Sequence, residues 1–292
     1  MGQLDYINHL LILLCIYLIL AQSFNFAFGL GGLFNLAHIA AYALGAYCTA
    51  ILSTDYDKSF FYCLGVSAVI AAFFSLLLGA IAIRLSQEYF AVGTLAFSAI
   101  VSSFLINWKS LTHGVLGIPN IPRPVIGQID FYQNSNFLAL LVGLTALIMF
   151  LFYLLFYGRF ARDLKAQAEN PYATMAIGKS VSSIRNDAFI ISSVFASIGG
   201  SIFSYYLNYI DPSSFTLAEM VFVMSIVVLG KPGSFWGTIW ATTFLVLLPE
   251  PLRFVQINAS ILGPMRQLLY AVILFLVVYY KRATIFPQKR EV

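Results

Sequence analysis

Residues 171–180 read PYATMAIGKS and end in Gly178-Lys179-Ser180. A phosphate-cradling P-loop ends the same way, with backbone amides and a lysine holding a nucleotide's phosphates. That loop needs an earlier glycine where this chain has Ala173. It also follows a buried strand, whereas the preceding RFARDLKAQAEN is charged and reads as helix. The run is therefore not expected to hold a nucleotide. The remaining candidates for chemistry are sparse. His9, His38 and His113 fall in different segments, and no HExxH, GxSxG or pair of carboxylates on one helix turn occurs. Cys15, Cys48 and Cys63 lie in or beside apolar runs without metal-like spacing, so they read as small buried apolar residues rather than a disulfide framework. No catalytic set and no metal site are expected.

The elements that must position these residues are set by composition. Of 292 residues 60% are hydrophobic and only 10% charged, against about 25% charged in a soluble domain. Such a chain cannot cover a water-facing surface. It reads as all-α, a polytopic helix bundle in which each backbone amide is satisfied within its own segment. At roughly 20 residues per span, the length allows about eight to ten transmembrane helices in a single domain over 1–292. The net charge of +4 belongs to loops and speaks of topology, not nucleic acid. INHLLILLCIYLILA resembles a signal-peptide core, but the first Lys or Arg is Lys58, so a retained helix is expected.

Apolar runs fall at 7–28, 38–53, 60–83, 89–107, 136–157, 187–208, 217–230, 235–249 and 262–280. The first two are joined by GLGGLFNLAH, where Gly29, Gly31 and Gly32 break a smooth helix. Broken helix at membrane depth survives only where it faces protein or a water-filled cavity, and transporters use such breaks. Basic residues fix the sides. Arg159, Arg162, Lys165, Lys179 and Arg185 place the linker 158–186 in the cytoplasm, and Lys281, Arg282, Lys289 and Arg290 place the tail there. Alternation then puts 209–216, PEPLRFVQINAS and the loop 108–135 outside, and Arg84 and Lys231 inside. Nine full spans put the N-terminus outside; a re-entrant glycine turn would reverse that.

Asn170 is a good N-cap, Pro171 suits the first helical position and Gly178 a C-cap. A short helix over 171–177 is expected, with Tyr172, Met175 and Ala176 on one face. GRFARDLKAQAEN forms a second piece with Arg162, Lys165 and Glu169 on its polar side. Two readings fit: a helix lying at the lipid interface, or a plug docking into a cytosolic partner.

On these residues the chain resembles the permease subunits of branched-chain amino acid ABC importers, the LivH/LivM type and closer to LivM. The linker carries Arg159, Arg162, Leu164, Glu169-Asn170, Ala173 and Gly178; GLGGLFNLAHIAAYALGAY (29–47), EYFAVGTLAFS (88–98), LTHGVLGIPNIPRP (111–124), the helix and turn over 188–215 and VVLGKPGSFWG (227–237) follow the family's order. The chain departs from the family pattern at three places: Ala37 before His38, His113 in the external glycine run, and Lys231-Pro232 in place of Gly-Leu. The resemblance implies a coupling helix, with Arg159, Arg162, Glu169, Asn170, Tyr172, Met175, Ala176 and Gly178 at the ATPase contact. It implies a second homologous permease, two cytosolic ATP-binding subunits that hold ATP and Mg, an extracytoplasmic binding protein, and the bacterial cytoplasmic membrane. No cofactor is expected in this chain.

Intramembrane polar groups are costly and often functional. Asn25, Asn35 and His38 flank the glycine break and, with Thr94 and Ser98, are the candidate substrate path. Simple interhelix hydrogen bonding serves His38 equally, and Thr94, Ser98 and Ser102 also read as a small-residue packing seam. Glu219 reads as an interfacial or helix N-terminal acid. Branched-chain or other small amino acids are the expected cargo; urea or short amides, an ion-coupled secondary transporter and a membrane enzyme remain alternatives.

Overall fold

A computed structural model describes residues 3–82, 87–126, 129–249, 263–265, 268–276 and 279. Arg84, all of PEPLRFVQINAS but its first proline, and the basic tail lie outside the described residues. Helices dominate. α1 (Gln3–Phe24) runs directly into a π-helical turn, Asn25–Leu30. After the irregular Gly31–Ala37 come α2 (His38–Thr54), α3 (Phe60–Ala82) and α4 (Gln87–Asn107). The next loop holds α5 (Lys109–Thr112), a 3-10 turn and three two-residue strands, β1 (Ile118–Pro119), β2 (Val125–Ile126) and β3 (Ile129–Asp130). Then follow α6 (Asn134–Tyr157), α7 (Arg159–Glu169), α8 (Pro171–Ala176), α9 (Val181–Leu207), β4 (Tyr209–Ile210), α10 (Leu217–Leu229) and α11 (Phe235–Leu247).

Among the described residues six helices are long and apolar enough to cross a membrane, fewer than the eight to ten that length allowed. The others are cut short by local chemistry. α2 keeps 17 residues because the glycine loop precedes it. α11 keeps 13, bounded by the Pro232-Gly233 turn and by Pro249, which cannot continue a helix.

α1 is the axis of the bundle, packed by α6, α9, α10 and α11, while α9 also carries α2 and α3. The α2–α9 seam is backbone on backbone. A Cβ on Gly45 would meet the Ser197 carbonyl oxygen at 2.0 Å, and one on Gly200 the Tyr42 oxygen at 1.9 Å. In lipid, where apolar burial does not drive helices together, such close approach maximises dispersion and polar contact. Ser67 and Ser201 hydrogen-bond across α3 and α9 at 2.8 Å.

Contacts along α1 order the two ends of the bundle. His9, near its start, bonds Tyr206 near the end of α9, and Arg123 lies over the Tyr206 and Phe137 rings at 6.0 and 5.3 Å. The other end of α1 meets α7 and the turn around Lys231. The start of α1 thus shares the end of the 108–135 and 209–216 loops, and α1 crosses fully to the basic linker. The map drawn from the basic residues makes the end that holds the start of α1 the outer one. At that outer end β1 pairs antiparallel with β4, Ile118 opposite Ile210. Asn208 ends α9 in the left-handed region and its Nδ2 donates to the Ile121 oxygen at 2.7 Å. Two of the departures, His113 (φ 58°) and Lys231 (φ 71°), also adopt left-handed backbone, where L-residues are strained and glycine is not.

Candidate functional site

The basic linker folds as the corner its punctuation predicts. Asn170 caps α8, accepting from Ala173 N at 3.0 Å, with Pro171 in the first turn. Gly178 (φ 80°) closes it: Gly178 N donates to Met175 O and Lys179 N to Thr174 O, a Schellman closure. Lys179 is ion-paired with Asp163 of α7, and Ser180 caps α9, accepting from Ser183 N at 3.4 Å. Each part of Gly178-Lys179-Ser180 thus shapes a helix–turn–helix corner. The elements that lead into it are the helices α7 and α8, not a strand.

This corner presents an apolar tip. Tyr172, Met175 and Ile177 are 81%, 49% and 70% exposed, Ala176 lies beside them, and Thr174 points inward. Arg159, Arg162 and Glu169 line the exposed face of α7, while Ala161, Leu164 and Gln167 are buried. That buried face grips the end of α1. Gln167 Nε2 donates to Gly31 O at 2.8 Å, its Oε1 accepts from Arg185 Nε of α9 at 2.6 Å, and a Cβ on Gly31 would touch Leu164 at 2.8 Å. A displacement of α7 therefore acts directly on the broken helix.

Three buried polar nodes surround the break. In the first, Asn25 Oδ1 accepts from Gly233 N at 2.8 Å, its Nδ2 donates to Ser234 O at 3.1 Å, and Gln22 Nε2 donates to Phe235 O at 2.9 Å. The α10–α11 turn is thereby bolted to the π-turn, and only glycine at 29 lets the backbones meet, since a Cβ there would lie 2.2 Å from Gly233 N. In the second, His38 sits between α1 and α9: Nε2 lies 3.2 Å from both Ser23 Oγ and Leu20 O, and Nδ1 lies 3.3 Å from Ser192 Oγ. In the third, the hydroxyls of α4 hold irregular backbone: Leu36 N donates to Thr94 Oγ1 at 3.1 Å and Ser98 Oγ donates to Leu36 O at 2.8 Å. Asn35 is fully buried beside them, Oδ1 accepting from Ala37 N at 2.9 Å, while its Nδ2 has no partner among the described residues.

The eight linker residues named from the sequence are all exposed, and the five path residues divide among the three nodes. Asn35, Thr94 and Ser98 come together; Asn25 and His38 do not join them. Sequence reasoning missed Ile177, whose apolar type just before a C-cap glycine was the available signal, and Gln22, Ser23, Gln167 and Ser192, which look like ordinary interior polar residues until the break supplies their partners. The crevice between α2, α3, α4 and α9, lined by Ala37, Ala41, Phe74, Ser75, Phe189 and Ser193, admits about 10 Å³, room for one water at most.

In the second half of α1, Tyr17 Oη donates to Glu219 of α10 at 2.6 Å. Asp211 caps the turn that follows β4, accepting from Ser214 N at 3.2 Å and from the Ser213 and Ser214 hydroxyls at 2.5 Å. Partial burial raises its pKa, but these hydrogen bonds more than offset that and hold the carboxyl below the usual range. Among the described residues no group of three or more His, Cys, Asp or Glu could hold a metal ion.

Residues 6–278 match the family described as branched-chain amino acid transport system / permease component. The chain is 35% identical over 272 residues to the high-affinity branched-chain amino acid transport system permease protein LivM of Escherichia coli (strain K12), covering 85% of this chain and 64% of that one. It is 23% identical over 330 residues to the probable branched-chain amino acid transport permease protein LivM of Methanocaldococcus jannaschii, covering 98% and 95%. It is 27% identical over 203 residues to the nucleoside ABC transporter permease protein NupC of Lactococcus lactis subsp. cremoris, covering 61% and 60%. The chain thus spans 64% of the length of the enterobacterial LivM relatives. No solved structure matches it.

Proposed function

Because the chain belongs to the permease family of branched-chain amino acid transport systems and is a multi-pass protein of the bacterial inner membrane, we propose that it is the membrane-spanning subunit of an ATP-driven, binding-protein-dependent importer of branched-chain or other small amino acids. Its partners are a second homologous permease, two cytosolic ATPases that hold ATP and Mg, and an extracytoplasmic binding protein.

The observation that carries this reading is the α7–α8 corner. It combines an exposed apolar tip of Tyr172, Met175 and Ile177 with a buried underside bonded to Gly31 of the broken helix. A helix serving only as a lipid anchor needs the tip but not the underside. ATPase closure pulls on the tip, with Arg159, Arg162 and Glu169 orienting the contact and Asn170 and Gly178 fixing its ends. Gln167 and Leu164 pass the displacement to Gly31. The π-turn and the turn around Gly233 then shift as one piece, because Asn25 ties them. The ATPase moves the bundle only if it contacts the inward and outward states unequally, and a corner hinged on a broken helix provides that inequality.

The substrate path runs along the break beside Asn35, Thr94 and Ser98, with His38 and Asn25 holding the neighbouring polar nodes. Asn35 Nδ2, a buried donor without a partner among the described residues, is the group there suited to a substrate oxygen. The second permease completes the cavity. The test is uptake of radiolabelled leucine into vesicles containing the assembled transporter. Uptake that needs ATP and the binding protein supports the reading. ATP-independent uptake driven by an ion gradient overturns it in favour of a secondary transporter.

A further inference from the structure

The outer loop that follows α4 begins with an apolar knuckle. Val115 and Leu116 at its tip are 71% and 82% exposed, and Trp108 and Leu111 before them are exposed as well. They are interspersed with exposed Lys109, Ser110 and His113. Single exposed apolar side chains are ordinary, but a rigid cluster of them marks a contact surface. This one is rigid. Thr112 Oγ1 lies 2.7 Å from Leu105 O and 2.8 Å from Trp108 O, sharing its proton between them. Gly117 N donates to Gly114 O at 3.2 Å and Tyr209 Oη to Leu116 O at 3.1 Å. A Cβ on Gly117 would meet Ile210 O at 2.1 Å, so the turn is seated directly on the β1–β4 pair.

Three observations say what covers the knuckle. The first is its level. Thr112 reaches the Leu105 carbonyl, and a Cβ on Gly114 would lie 2.9 Å from Ile106 O. Residues 112–114 therefore sit within about one helical turn, about 5 Å, of the end of a membrane-spanning helix, and the headgroup layer is itself about 5–7 Å deep. The second is continuity. Ile100 and Phe104 on the exposed face of α4 lead at helical spacing to Trp108 and Leu111, and the Phe104 and Trp108 rings meet edge to face at 4.7 Å. Only 22% of the α4 span is buried inside the chain, so this is the face that lipid meets. The third is chemistry. Trp beside Lys, with apolar and polar residues interspersed, is the composition of an interfacial segment. The turn also supplies its own donors to Leu105 O, Trp108 O, Gly114 O and Leu116 O, which a tip in water has no need to do.

We infer that residues 108–116 are a lipid anchor lying in the outer headgroup–acyl boundary. Val115 and Leu116 insert among the acyl chains, Trp108 sits at headgroup level, and Lys109 reaches the lipid phosphates. The anchor fixes the depth of the β1–β4 pair and of the outer loop that carries it. The inference rests on the membrane-spanning architecture and not on the importer reading, and it holds whatever the cargo.

The test is photocrosslinking. The photoreactive residue p-benzoylphenylalanine replaces Val115 or Leu116 in the full chain, purified with the subunits that accompany it and reconstituted in vesicles of phosphatidylethanolamine and phosphatidylglycerol. Two neighbouring positions are used so that the answer stands if one variant fails to assemble. Phe104, on the exposed face of α4, verifies that lipid is captured. Asp55, exposed in the turn between α2 and α3 where Phe60 packs on Tyr205 at the same end of the bundle, is the water-facing comparison. After irradiation, mass spectrometry reads what each position has captured. The expected result is a chain heavier by one phospholipid at Val115 and Leu116, at least about tenfold more often than at Asp55, the partition that one buried leucine side chain sustains. Capture of a protein segment instead, from this chain or a partner, overturns the anchor and makes the knuckle a docking surface. Absence of lipid capture at both tip positions places the tip in water and overturns it as well.

Discussion

Replacing Asn25 by alanine separates the two jobs an intramembrane asparagine can do. The side chain is fully buried and makes three hydrogen bonds, with Gly233 N at 2.8 Å, Ser234 O at 3.1 Å and Gln22 Oε1 at 3.3 Å. Ser234 O keeps Thr238 as a donor after the change, whereas Gly233 N loses the acceptor it has here. A lost hydrogen bond costs about 1 kcal/mol net, and an orphaned buried donor about 1–3 kcal/mol. The expected sum is about 2–4 kcal/mol. For a chain of this size that lowers the thermal midpoint by roughly 5–15 °C. The assay is thermal unfolding of the detergent-solubilised chain, followed beside transport in vesicles. If the midpoint does not move, Asn25 does not bolt the turn to the π-turn. An unmoved midpoint with lost transport would assign the side chain to the substrate instead.

Three further expectations can be checked alongside it. Ile177→Ser removes an apolar side chain that is 70% exposed; if docking covers it, about 1–2 kcal/mol of affinity is lost, a roughly 5- to 30-fold weaker hold on the ATPase, read by titrating ATPase onto solubilised chain. Gln167→Leu breaks the bonds to Gly31 O and Arg185 and is expected to leave the ATPase bound but hydrolysing without uptake; normal coupling ratios would remove Gln167 from the transmission. Gly200→Ala places a Cβ 1.9 Å from the Tyr42 oxygen, whereas nothing lies within 4 Å of one at Gly143. The first should cost about 1–3 kcal/mol by overpacking and the second nothing, with melting of each variant as the check.

The residues that were easy to read in the sequence are those whose role is local. Asn170, Pro171 and Gly178 specify a helix by backbone satisfaction within a few positions, so α8 appears where its punctuation stands. Charge likewise marked the inner end, because basic loops stay in the cytoplasm whatever the bundle packs. What could not be read is whatever needs a partner distant along the chain. Asn25 stands out as polar in an apolar run, but the turn it holds lies more than 200 residues away in sequence. Gly45 and Gly200 look like ordinary membrane glycines until α2 and α9 are laid together. Total apolar length likewise says nothing about where a glycine loop or a proline divides it, so α2 and α11 are shorter than the long spans.

The measurement that bears most directly on the central claim is to tag this chain, extract it from its native membrane in mild detergent and identify by mass spectrometry what comes with it. Recovery of a second permease and ATPase chains, lost when Tyr172, Met175 and Ile177 are made polar, is the predicted result. A chain recovered alone, folded and moving solute under an ion gradient, would contradict the account.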